Sequence, residues 1–223
     1  MESDSTSTTG AASLRRAVRE GDLAAARALI ASDSSLARTE STRGGSLILE
    51  AHERDYTELA DFLLSARDGG SLVSLDVHEA AALGRPAALK HVFTNDVTAI
   101  ESNGPAGFQP LHRAAFRGHA ESTALLLEMG ADPQARADNG PRATPLECAV
   151  AGAARFGADT TFGEVVRLLL AAGADPDAPS QAGVSAREDA SRRGLDALFV
   201  RAEEVPPPEG SAADGTPFEA RPS

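Results

Sequence analysis

Apolar positions over residues 110–133 (PLHRAAFRGHAESTALLLEMGADP) fall in two short bursts of helical spacing. Leu111, Ala114 and Ala115 are three and four residues apart, the spacing of one helix face. After Gly118-His119, a second burst closes on Leu125-Leu126-Leu127. The pattern predicts two short helices joined by a tight turn, then a second turn at Gly130-Ala131-Asp132-Pro133. A helix pair of this size cannot bury its apolar face alone and needs neighbours of the same shape.

The chain supplies them. The first apolar position of each inner helix falls at Leu14, Ile48, Val77, Leu111 and Leu146, with Arg187 in the same register, at spacings of 34, 29, 34, 35 and 41. A drifting period of about 33 residues indicates stacked helix–turn–helix units. The Gly-Ala-Asp-Pro turn returns at Gly173 to Pro176 and the leucine run at Leu168 to Leu170. Thr144-Pro145-Leu146 reads as a helix start, with Thr as N-cap and Pro where its missing N–H costs nothing. Helix pairs are expected at 14–20 and 23–31, 46–54 and 57–66, 77–83 and 86–93, and 111–117 and 120–129. In the fifth unit, Leu146 to Leu168 is 22 residues, against 14 from Leu111 to Leu125. The extra residues lie in 151–162, read as a short helical extension followed by a loop. The last unit, 184–202, is degraded, with Arg187 at a usual core position, as suits a terminal cap that meets water.

These residues carry a resemblance. Gly107, Pro110, Leu111, His112, Ala114, Ala115, Gly118, His119, Glu121, Leu126, Leu127, Gly130, Ala131 and Asp132 follow the unit of ankyrin-repeat proteins, with Gln109 replacing the usual Thr. Thr144, Pro145, Leu146, Ala149, Glu164, Val165, Val166, Leu169, Leu170, Gly173, Ala174 and Asp175 follow it again. In the second unit Asp55-Tyr56 stands where Gly-His usually stands. The chain therefore resembles a stand-alone ankyrin-repeat protein: an all-α solenoid of five to six units over 13–202, flanked by disordered segments at 1–12 and 203–223.

Composition adjusts this picture in a few places. The chain has 223 residues, no Trp and a net charge of −12, which disfavours non-specific nucleic-acid binding. Lys90 is the single lysine beside twenty arginines, read as the codon usage of a GC-rich bacterial genome. One cysteine, Cys148, excludes an intramolecular disulfide and favours a reducing compartment. The first residues lack the basic and apolar regions of a secretory signal, and no apolar run approaches a membrane span. The expectation is a cytoplasmic monomer, with no membrane or nucleic-acid partner.

Candidate chemistry is sparse. His112 and His119 could suggest a metal or a base, but Gly118 ends the helix between them; the resemblance implies that they order turns by hydrogen bonding. Asp132 and Asp175 sit at turns, where carboxylates cap backbone N–H groups. Cys148 reads as a packed thiol. No phosphate loop follows Gly104 to Gly107. Catalysis, cofactor and metal have no positive support.

What remains is surface. The resemblance implies a concave groove, lined by inner helices and finger loops, that binds another protein. Groove positions ahead of the inner-helix turns include Phe116, Arg117, Arg192 and Arg193, read as free of the core; Phe116-Arg117 pairs an aromatic with Arg, as binding hot spots often do. Finger-tip positions include Pro105, Phe108, Asn139 and Arg142. Two other readings stay open: an immunity or inhibitor protein that neutralises a basic toxin or enzyme, and a regulatory subunit or enzyme with an unrecognised site.

Overall fold

The computed structural model describes residues 3–42, 45–69 and 74–204. They form six stacked helix pairs: α1 (Ser3–Glu20) with α2 (Leu23–Ser32), α3 (Leu47–Glu53) with α4 (Thr57–Asp68), α5 (Val77–Ala82) with α6 (Pro86–Asn95), α7 (Pro110–Arg117) with α8 (Ala120–Glu128), α9 (Pro145–Phe156) with α10 (Thr160–Ala171), and α11 (Ala186–Arg192) with α12 (Ala197–Glu204). Odd-numbered helices form the inner row and even-numbered ones the outer row. Isolated bridges such as Pro179 to Ser185 hold the fingers, and the described residues contain no β-strand.

Local chemistry sets the inner helix ends. Ser46, Asp76, Thr144 and Ser185 each accept an N–H from three residues on, and Glu79 and Glu147 return the bond to complete capping boxes. Four inner helices stop at a left-handed glycine: Gly21, Gly84, Gly118 and Gly194, at φ of 72°, 61°, 73° and 70°. A side chain from the next unit covers three of these turns: the Tyr56 ring lies on Gly21, the His119 ring on Gly84, and Phe162 and Thr161 on Gly118.

Between the rows lies one continuous apolar layer. Leu14, Ile48, Leu111 and Leu146 meet Leu59, Leu63, Leu89, Leu126 and Leu169, all essentially inaccessible to solvent. Fully buried alanines (Ala51, Ala80, Ala81, Ala114, Ala115 and Ala149) let the inner helices approach closely. Arg187, in place of a core Leu, lies over the Phe199 ring at 5.0 Å and pairs with Asp177, so the last unit closes the stack with a cation over an aromatic face. No described helix is long and apolar enough to cross a membrane.

Three departures from the expected layout matter. The first helix begins at Ser3, so residues 3–12, expected to be disordered, are helical; Gly10 and Ala11 lean on the buried layer, with Leu36 against Gly10. The 151–162 insertion lengthens both helices of the fifth pair: α9 runs to Phe156, Gly157 to Asp159 turn the chain, and Asp159 caps α10. The third departure concerns the connections. Residues 69–76, between α4 and α5, number eight, against fourteen in 33–46, 96–109 and 172–185. The spacing of 29 is therefore a shortened finger. The expected tail at 203–223 lies outside the described residues from 205 onward.

Gly152 marks a close contact between two inner helices. A Cβ there would lie 2.0 Å from the Phe116 carbonyl oxygen, so α7 and α9 touch backbone to backbone. In an isolated helix Gly→Ala stabilises by about 1 kcal/mol; here Gly152→Ala is expected to destabilise by about 1–3 kcal/mol through overpacking. Gly163→Ala, in open space on α10, is expected to stabilise by about 0.4–1 kcal/mol. Urea denaturation of both variants checks the pair, and a shift of the same sign in both would contradict this packing.

Candidate functional site

Unit three presents little side chain to the groove. Its inner helix ends Ala80-Ala81-Ala82, with no side chain beyond Cβ to stand in the groove. Side chains from units two, four and five meet above it. Arg113, 6% exposed, donates to Glu53 Oε1 at 2.6 Å and to the Pro105 carbonyl at 2.5 Å. Arg117 donates to Asp55 Oδ1 at 2.8 Å and to the His52 carbonyl. Arg155 donates through Nη2 and Nε to Asp55 Oδ2 at 2.6 and 3.2 Å. Pro105 packs over Gly45, so the finger after unit three closes on the finger before unit two.

Asp55 is the hinge of this arrangement. It holds the left-handed turn position that glycine takes in the neighbouring units, at φ 66°. A non-glycine residue is strained there, although Asp tolerates it better than most. In exchange a carboxylate stands between two guanidiniums. Partial burial alone would raise its pKa, but the hydrogen bonds and charges of Arg155 and Arg117 outweigh burial and hold it below the usual carboxylate range.

Aromatic rings flank these charges. Phe116 and Phe156 meet edge to face at 5.6 Å. Arg117 lies 4.7 Å and Arg155 5.4 Å from the Phe156 ring centre. Phe108 tilts against the His112 ring at 5.9 Å. Between them is a cavity of about 290 Å³, lined by Phe108, Phe116, Ala82, Ala106, Arg117 and Arg155. An opening of about 570 Å³ adjoins it, lined by Glu50, Glu53, Arg54, Tyr56 and Pro105 among others.

The histidines tie the units together. His112 Nε2 lies 3.1 and 3.0 Å from the Ala135 and Ala143 carbonyls, and His119 Nε2 lies 2.9 Å from the Ala82 carbonyl. A carbonyl only accepts, so Nε2 carries the proton in both. Burial, outweighing these bonds, keeps both imidazoles harder to protonate than usual. Burial and then the Arg117 charge press His52 down to about 3; burial and then Arg113 press His78 down to about 4. All four rings are neutral at neutral pH. Cys148 is buried and its thiol pushed up to about 12, which makes it unreactive. Asp132 and Asp175 cap the N–H groups of Gln134 and Asp177. Among the described residues no group of three or more His, Cys, Asp or Glu converges on a metal-sized site.

The residues singled out in the sequence divide. Phe108 and Phe116 line the cavity half-buried. Arg117 is not free: its side chain is 12% exposed and locked to unit two, a correction that rests on its reach to Asp55. Pro105 supplies a carbonyl to Arg113 and a ring to Gly45, which makes it a brace. Asn139 donates to the Ala106 carbonyl and accepts from the Arg142 N–H, joining two fingers, while the Arg142 side chain stays exposed. Arg192 and Arg193 are exposed, far along the stack on α11, paired with Glu188 and Asp189. Sequence reasoning missed Arg113, Arg155 and Phe156 as groove residues. The Arg155-Phe156 pair that ends α9 mirrors Phe116-Arg117 and was the available signal.

Two outcomes follow. Asp55→Asn keeps a side chain that tolerates the turn but removes the charge; it is expected to cost about 1–2 kcal/mol, between an exposed pair and a broken buried one. Asp55→Gly also relaxes the backbone and is expected to cost less; urea midpoints check the order. The second concerns pH. Unfolded histidines bind a proton near 6.5, whereas the folded rings refuse it, so stability is full above about pH 6.5 and declines as pH falls toward about 4 and 3. The slope is up to about 1.4 kcal/mol per pH unit for each ring. A urea midpoint that stays flat from pH 7 to pH 5 would contradict it.

Comparison with known proteins agrees with this geometry. The family model for ankyrin repeats matches three copies over residues 77–180. Ankyrin repeat and SOCS box protein 16 of Mus musculus is 45% identical over 69 residues, 31% of this chain and 15% of that protein, so the chain spans a small part of that relative. The crystal structure of the ankyrin repeat protein EF0377 aligns at a TM-score of 0.49 and 23% identity, covering 84% of this chain and 96% of that one. An ankyrin repeat domain from Acinetobacter baumannii aligns at 0.47 and 24%, covering 85% and 97%. Residues 77–180 thus carry ankyrin repeats, and helix pairs of the same design stand on either side of them.

Proposed function

We propose that this protein binds a protein partner in the groove above unit three, without catalysing a reaction. Ankyrin repeats are generally protein–protein interaction modules. The observation that carries the reading is the aromatic-walled cavity bounded by Phe108, Phe116, Arg117 and Arg155, with Phe156, 39% exposed, packed against Phe116. Apolar side chains fixed at an accessible surface mark interaction sites, and an aromatic next to Arg is the composition of binding hot spots. His112 and His119 spend Nε2 on backbone carbonyls, and the thiol of Cys148 is buried.

The test is site-specific photo-crosslinking in the native cell extract. A photoreactive residue at position 156, in the groove, should give discrete protein adducts. The same residue at position 90, exposed on outer helix α6, should give few. Equal yields from both faces, or none from the groove, would remove the proposal.

A further inference from the structure

The groove is charged against the grain of the molecule. Arg54, Arg113, Arg117 and Arg155 meet Glu50, Glu53 and Asp55 there. Four guanidiniums therefore face three carboxylates, an excess of one positive charge, in a protein of net charge −12. The excess centres on Asp55, one carboxylate shared by Arg117 and Arg155. A guanidinium has five N–H donors. Arg155, 48% exposed, uses Nε and Nη2 on Asp55, and its Nη1 has no acceptor among the described residues.

The cavity beside it is small. At about 290 Å³ it sits at the low end of small-molecule pockets, and its walls are Phe108, Phe116, Ala82 and Ala106. It suits a single large apolar side chain. A polyanion is disfavoured, because the rest of the surface repels it. A single local carboxylate meets the excess charge and little of that repulsion.

We propose that the groove receives a protein segment in which an Asp or Glu stands beside a large apolar residue: the carboxylate is taken by Arg155, and the apolar side chain enters the cavity between Phe108 and Phe116. This rests on the groove being a protein-binding surface. It differs from the open reading of an inhibitor that neutralises a basic toxin or enzyme.

The test is selection of phage-displayed random linear peptides on the immobilised full chain at physiological salt. Enriched peptides should carry an acidic residue within about two positions of an aromatic or long aliphatic one, the spacing that keeps both side chains within reach of one site. A synthetic consensus peptide should bind at least about tenfold more weakly when its acid is changed to the amide, and likewise to Arg155→Glu. Phe116→Ala should weaken it too. The amide change leaves the protein intact, so it cannot be mistaken for unfolding. Peptides that depend on Phe116 but lack an acid would overturn this chemistry and leave the groove reading standing. Peptides indifferent to both variants, or no enrichment, would overturn both. Self-association by light scattering that Arg155→Glu abolishes would assign the groove to a second copy and overturn the proposal.

Discussion

The Asp55 carboxylate, held between Arg117 and Arg155, organises the concave side of this molecule. A charge is expensive to desolvate, and two guanidiniums are more so, unless each finds a partner. Here the partners come from other units: Asp55 and Glu53 from unit two, Arg113 and Arg117 from unit four, Arg155 from unit five. The arrangement requires that unit three stand out of the way. Its inner helix does so by ending in alanine.

Scaffold and site use different chemistry. The scaffold runs on short-range rules repeated along the chain: capping side chains, left-handed glycines, and a side chain from the next unit over each of three turns. Its histidines belong to that set, because neutral buried imidazoles donate to backbone carbonyls across units. The site runs on long side chains that bridge units. Asp55 connects the two, since its backbone does a glycine's task while its side chain serves the groove.

That division explains what could be read in advance. Pro at several helix starts, Thr144 as a cap and glycine after most inner helices fall in one register, so the helix pairs were legible. The bond from Arg155 to Asp55 joins residues 100 apart and has no period. Asp55 was visible as a departure from Gly, yet its meaning depended on Ala82 being small and on arginines from units four and five. Arg117 was read as free because its local position carries no core signal; its partner Asp55 lies 62 residues away in sequence. Residues 3–12 misled differently. Their Ser/Thr-rich composition suggests disorder, but Gly10 and Ala11 reach the apolar layer and draw the helix with them.

A repeat protein is usually a chain of weakly joined beads, each coupled to its two neighbours and able to fray from either end. The ties from unit two to units four and five break that one-dimensionality. To detach unit three, the molecule must also release Arg113, Arg117 and Arg155 from their carboxylates, so the opening of units two to five is coupled by about 1–2 kcal/mol. Only the first and last helix pairs remain outside this block, free to loosen on their own.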